Sequence, residues 1–170
     1  SFPTRRSSDL TFRRVVIPVQ ELLDTAGKYF RKSMKNRTER IELEIGTVDA
    51  KVIGDLNQLR FLLENLIDEA LAVHEDGLLR LQARQDDEYI RFLFTDTRRE
   101  KSMEELNLLF YPNLARMTAG EKGELRGTEY LVCKQIIRDH DEFAGRRGCR
   151  INAEPAADGG FTVYFTVPRR

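Results

Sequence analysis

The sequence predicts an α+β fold, a two-layer α/β sandwich in which helices cover one face of a mixed sheet. Two patterns carry this expectation. Apolar residues recur at helical spacing in three well-separated segments, and they alternate with polar residues in six short ones, most of which stand as neighbours across a short turn.

Ser1 to Leu10, SFPTRRSSDL, has neither pattern, and it resembles the in-frame translation of a sequencing adapter. Residues 1–10 are therefore expected to be a non-native, adapter-derived or disordered segment, and residues 11–170 to form the domain. Pro18 suits a first helical position, and Val19, Leu22, Leu23, Ala26, Tyr29 and Phe30 form one helical face, giving a first helix to about Met34. Ile41, Leu43 and Ile45 alternate with Arg40, Glu42 and Glu44, and Lys51 to Ile53 is the expected hairpin partner. Asp55 caps a second helix to about Val73, with Leu59, Leu62, Leu63, Leu66, Ile67 and Ala70 as its core stripe. A second hairpin pairs Leu79, Leu81 and Ala83 with Ile90, Phe92 and Phe94 across Asp86, Asp87 and Glu88. Between Thr95 and Arg126 the periodicity weakens, which predicts a short helix over Met103 to Phe110 and then a mobile loop holding Pro112, Gly120 and Gly123. A third helix spans about Thr128 to His140. Two strands follow, through Cys149, Ile151 and Ala153 and then Phe161 to Val167, joined at Asp158, Gly159 and Gly160.

A chain of 170 residues without a long linker fits one core, and 41% hydrophobic with 33% charged residues is too apolar for a disordered chain. Lysine plus arginine balances aspartate plus glutamate at 28 each, so no net field directs the chain to nucleic acid or anionic membrane. No apolar run approaches the roughly 20 residues of a membrane span. Cys133 and Cys149 have neither C-x-x-C spacing nor clustered histidines, which argues against a metal site or a disulfide framework and for a reducing compartment.

Four local sequences stand in a fixed order: DLNQLRFLLENLIDEAL (Asp55 to Leu71), FLFTDTRREKS (Phe92 to Ser102), ELNLLFYPNL (Glu105 to Leu114) and ELRGTEYLVCKQIIRDHDEF (Glu124 to Phe143). Together they resemble the GHKL family of ATPases and kinases, in particular the ATP-binding domain of sensor histidine kinases, over nearly all of Thr11 to Pro168. The resemblance implies a Bergerat-type ATP-binding fold, Mg-ATP as cofactor, and cytoplasmic location as one domain of a membrane-anchored sensor. It also implies an upstream dimerisation and phosphoacceptor domain, and a response regulator as partner.

The resemblance assigns candidate residues one by one. Asn65 matches the first asparagine of the family's N-box and Glu69 replaces the second. Four apart on a helix, they share a face, and both are candidate magnesium ligands. Read without the family, they are the polar edge of an amphipathic helix. Asp96 matches the aspartate that accepts a hydrogen bond from the adenine amino group; read locally, it caps the turn after its strand. Arg98 and Glu100 stand where the family has glycines, which predicts a narrowed or filled adenine slot. Phe110 matches the aromatic that anchors a lid. Gly127 survives from a glycine-rich lid end, whereas Glu129 places a carboxylate at a helix N-terminus that would otherwise suit phosphate. Arg116, Lys122 and Arg126 could offset that charge or simply form a solvated face. Neither His74 nor His140 lies in a phosphoacceptor setting, and both read as surface or helix-end histidines.

Three functions remain open on the sequence: an active kinase domain that passes phosphate to an upstream histidine, a pseudokinase module with weak or lost turnover that signals by docking, and an unrelated interaction domain. The lost glycines near Arg98, Glu100 and Glu129 favour the second.

Overall fold

The computed structural model describes residues 12–112, 118–119 and 125–170, with the side chains of 118–119 and 125–126 outside that description. Residues 1–10, Arg116 and Lys122 therefore lie outside the described residues, and Arg126 is described in its backbone alone.

The chain enters as strand β1 (Val15–Pro18) and turns directly into helix α1 (Val19–Met34). Pro18 is the last extended residue, at φ −63° and ψ 126°, one place before the expected first helical position. The reason is tertiary: Val16 and Pro18 stay in register with Ile53 and Lys51 of β3 (Lys51–Gly54), while the Val19 amide donates to the Ala50 carbonyl at 2.9 Å.

That pairing overturns the first expected hairpin. β2 (Ile41–Ile45) runs parallel to β4 (Gly77–Asp86), with Leu43 opposite Leu79, and β3 is antiparallel to β1 instead. Alternation shows that a segment is a strand but not which strand it joins. Here the Gly46 amide extends the β2 ladder onto the Leu81 carbonyl at 2.8 Å, and the chain then leaves the sheet.

Helix α2 (Leu56–Leu71) begins at Asp55, whose Oδ1 accepts from the Gln58 amide at 3.0 Å, and ends two residues before the expected Val73. β4 and β5 (Tyr89–Asp96) form the expected hairpin, with Asp87 taking a left-handed φ of 58° at the turn. Asp is among the few residues besides Gly that tolerate this region, which explains the acidic turn. The short helix α3 (Met103–Asn107) stops earlier than expected and starts with a reciprocal capping box of Ser102 and Glu105. Within the segment read as loop, β6 (Thr118–Ala119) pairs with β7 (Leu125–Arg126). Helix α4 (Glu129–Phe143) runs three residues past the expected end, and β8 (Ile151–Pro155) and β9 (Phe161–Pro168) close the chain.

The main sheet has the order β2-β4-β5-β9-β8, with β2 and β4 parallel and the other neighbours antiparallel. The faces of α1, α2 and α4 that carry Leu22, Leu23, Leu62, Leu66, Cys133 and Ile137 join Leu81, Phe92, Phe94 and Phe165 in one buried core. Phe92 and Phe165, opposite one another in the β5–β9 ladder, stack with ring centroids 4.7 Å apart. This arrangement sets the end of β5 beside the C-terminal turn of α2, where the candidate site lies.

Candidate nucleotide site

Asp96 is the last residue of β5 and is held from both sides of the sheet, opposite Leu79 of β4 and Phe161 of β9. It is 4% exposed. Both of its carboxylate oxygens are occupied by one residue, Arg98. Oδ1 accepts from the Arg98 amide at 3.0 Å and from Nε at 2.9 Å; Oδ2 accepts from Nη2 at 2.9 Å. The bond to the amide two residues on is the local turn cap that the sequence allowed. The rest of the guanidinium reaches across to the end of α2 and the segment after it. Nη2 donates to the Ala70 carbonyl at 2.5 Å, and Nη1 donates to those of Val73 and Glu75 at 3.0 and 2.9 Å. An arginine has five N–H donors, and every one of them has an acceptor here. The Arg98 side chain is 2% exposed. A Cβ on Gly77, which sits at φ 148°, would collide with the Arg98 stem, so the glycine at the start of β4 makes room for it.

Glu69 and Asp96 line the same small cavity, with Leu66, Ala70, Val73, Phe94, Tyr130, Phe161 and Val163 as apolar walls and Arg99 and Lys101 also on the lining. Its volume is about 50 Å3. Pockets that enclose an organic ligand are typically about 300–1,000 Å3. At that volume the residues present do not accommodate an adenine ring.

The other candidate residues are only partly brought together. Asn65 is buried and its amide donates to the Phe61 carbonyl one turn back at 2.8 Å, so it is tied to its own helix. Phe110 packs edge-on against Tyr130, with centroids 5.7 Å apart, and so supports the cavity wall from behind. Gly127 takes a left-handed φ of 81° just before α4, a conformation that favours glycine. Glu100 is exposed. Glu129 is in the first turn of α4, with Oε1 buried and without a hydrogen-bond partner among the described residues. Its charge is felt nearby: burial raises the Asp68 pKa, and Glu129 raises it further, while burial pushes the Cys133 thiol up, with Glu69 and Glu129 adding to the effect. Among the described residues, no group of three or more His, Cys, Asp or Glu side chains is placed to hold a metal. The two cysteines are free thiols, and no helix among the described residues is long and apolar enough to cross a membrane.

The histidines separate. His74 is exposed, with Nδ1 2.6 Å from Glu39 Oε1. His140 is in the last turn of α4 as expected, yet it is fully buried and not on the surface. Its Nδ1 donates to the Ile136 carbonyl at 2.8 Å, and its Nε2 accepts from the Asp55 amide at 3.0 Å, joining the end of α4 to the cap of α2. Phe12 packs on its ring at 4.9 Å, and the Arg13 amide donates to Asp55 Oδ2 at 2.8 Å. The sequence offered no sign of this junction beyond a phenylalanine near the start of the chain.

The fold, with its five-stranded mixed sheet and three long helices, matches that of histidine kinase catalytic domains. The chain belongs to the histidine kinase-, DNA gyrase B- and HSP90-like ATPase family, whose model matches residues 54–170. It is 25% identical over 163 residues to the signal transduction histidine-protein kinase BaeS of Escherichia coli K12, covering 94% of this chain and 33% of that protein. The chain thus spans about a third of the relative's length. Among solved structures, a mycobacterial sensor histidine kinase, MprB, superposes with a TM-score of 0.70 at 20% identity, covering 93% of this chain and 99% of that one. The histidine kinase ThkA in complex with the response regulator protein TrrA superposes with a TM-score of 0.69 at 18% identity, covering 94% and 42%.

Proposed function

We propose that this is the ATPase-like domain of a two-component sensor histidine kinase in which nucleotide turnover is weak or lost, and that it signals by docking onto a dimeric phosphoacceptor partner and a response regulator. One observation carries the loss of turnover: the carboxylate expected to choose adenine is buried with both oxygens held by Arg98. An ionised carboxylate offers only acceptors, so a base cannot bind it until the guanidinium leaves. Phosphoryl transfer rests on positioning and charge neutralisation, and a site that does not seat the base loses the positioning. Glu69 and Glu129 add negative charge where phosphates would lie, which works in the same direction. The signalling part rests on the family membership and on relatives that are sensor kinases, one of them solved with a response regulator.

Calorimetric titration with a non-hydrolysable ATP analogue, with and without magnesium and beside an Asp96→Ala control, tests the first part. No saturable heat at millimolar nucleotide is expected. Saturable binding that Asp96→Ala abolishes would sink the reading of lost turnover and call for a phosphotransfer assay with a histidine-bearing partner.

A further inference from the structure

Resting on that reading and extending it, we infer that Arg98 by itself closes the base slot, as an internal substitute for a purine that carries an amino group at position 6, and that the slot behind it is latent. Three features separate the closure from the site.

First, the position of Asp96 does not depend on Arg98. Asp96 sits in two ladders, facing Leu79 and Phe161, and Gly160, at φ 79°, lies so close to the Asp96 carbonyl that a Cβ there has no room. The next residue is fixed as well: the Thr97 amide and hydroxyl both donate to the Leu78 carbonyl, at 3.1 and 2.7 Å. Removing the Arg98 side chain leaves the carboxylate presented from the same backbone.

Second, the walls suit a flat apolar ring. Leu66, Ala70, Val73, Phe94, Phe161 and Val163 form the apolar wall beside Asp96, and Glu69 is the other acidic residue on the lining. The neighbouring cations are peripheral. The Arg99 side chain is half-exposed and pairs with Glu75 at 3.0 Å, and Lys101 lies over the face of Phe161 at 5.3 Å from its centroid. Each can swing into solvent, whereas the Arg98 side chain cannot move without breaking five hydrogen bonds at once.

Third, the chemistry of the closure is that of a donor. Arg98 meets the two oxygens of Asp96 with N–H groups, and a 6-aminopurine meets them in the same sense. In the same pose, with position 6 turned to Asp96, a purine with a carbonyl there presents an acceptor to the carboxylate and is repelled. Closure and base binding are thus mutually exclusive occupants of one acceptor. The apparent affinity of the base is its intrinsic affinity reduced by the fraction of molecules in which Arg98 has swung out.

The test titrates the 170-residue chain as wild type, Arg98→Ala, Arg98→Gln and the double variant Arg98→Ala/Asp96→Asn with non-hydrolysable ATP and GTP analogues, with circular dichroism confirming that each is folded. Arg98→Ala or Arg98→Gln is expected to bind the ATP analogue at least about tenfold more tightly than wild type, the ratio that a 1.4 kcal/mol change produces. The GTP analogue is expected not to bind, and the double variant to lose the gain. If wild type and both folded single variants fail to bind, the inference is overturned while the reading of weak or lost turnover stands. If wild type binds as tightly as the variants, both fall. Should neither single variant fold alone, each is refolded with either analogue present: an adenine-specific rise in the melting temperature supports the inference, and its absence overturns it.

Discussion

Arg98 and Asp96 form a buried ion pair, and its two halves differ from a surface pair in what their loss leaves behind. Truncating one member of such a pair strands a charge away from water, a loss of about 3–5 kcal/mol in other proteins. Arg98→Ala should therefore lower stability by about 3 kcal/mol in urea denaturation, even while it opens the slot. Arg99 and Glu75, 3.0 Å apart but half-exposed, supply the contrast. Arg99→Ala should change stability by less than about 1 kcal/mol, because water already screens that pair. A second buried group titrates. Burial holds the His140 pKa below its usual 6.5, against the opposing effects of the Ile136 carbonyl, Asp55 and Asp139. The native ring is neutral, with Nε2 accepting the Asp55 amide, while the unfolded chain takes up a proton below pH 6.5. The stability it contributes is complete above that pH and falls as the pH drops towards the lower native value. Melting temperatures from about pH 8 to pH 5 should fall more steeply for wild type than for His140→Gln, which cannot titrate; parallel curves would refute the assignment.

At the scale of elements, α2 supplies Leu66, Glu69 and Ala70 to the cavity and holds the entering chain at its cap. Its cap, Asp55, receives the Gln58 amide on one oxygen and the Arg13 amide on the other, so it binds the entering chain to the helix. Asp55→Ala should cost at least the roughly 1 kcal/mol of an ordinary N-cap, read as a lowered denaturation midpoint. Within the helix, Leu62 is fully buried and Phe61 is 51% exposed. Leu62→Ala should cost about 2–5 kcal/mol and Phe61→Ala far less, a difference that follows from the stripe and that the same denaturation series measures. The helices were legible in the sequence because a 3.6-residue stripe such as Leu59, Leu62, Leu66 and Ala70 specifies both the element and its buried face. The β4–β5 hairpin was legible because Asp87 supplies the turn. The pairing of β2 and β3 was not legible, since Ile41, Leu43 and Ile45 alternate in the same way whether the partner is the next segment or β4.

For the molecule as a whole, a ligand that binds only the native state must raise the melting temperature by mass action. With Asp96 closed, saturating ATP analogue should leave the wild-type melting temperature unchanged and raise that of folded Arg98→Ala; a clear rise in the wild type would show that the closure yields to nucleotide. The sequence by itself determined the order of helices and most strands and the single core, because periodicity is written residue by residue; the candidate positions Asn65, Glu69, Asp96, Phe110 and Gly127 came from the family resemblance. Only the tertiary structure decided that β2 lies parallel to β4, that His140 is buried on the cap of α2, and that Arg98 joins Asp96 to the carbonyls of Ala70, Val73 and Glu75. Those contacts link segments more than 20 residues apart, and no local pattern encodes which distant acceptor a buried donor finds. They depend on the whole sheet and helix layer being assembled first.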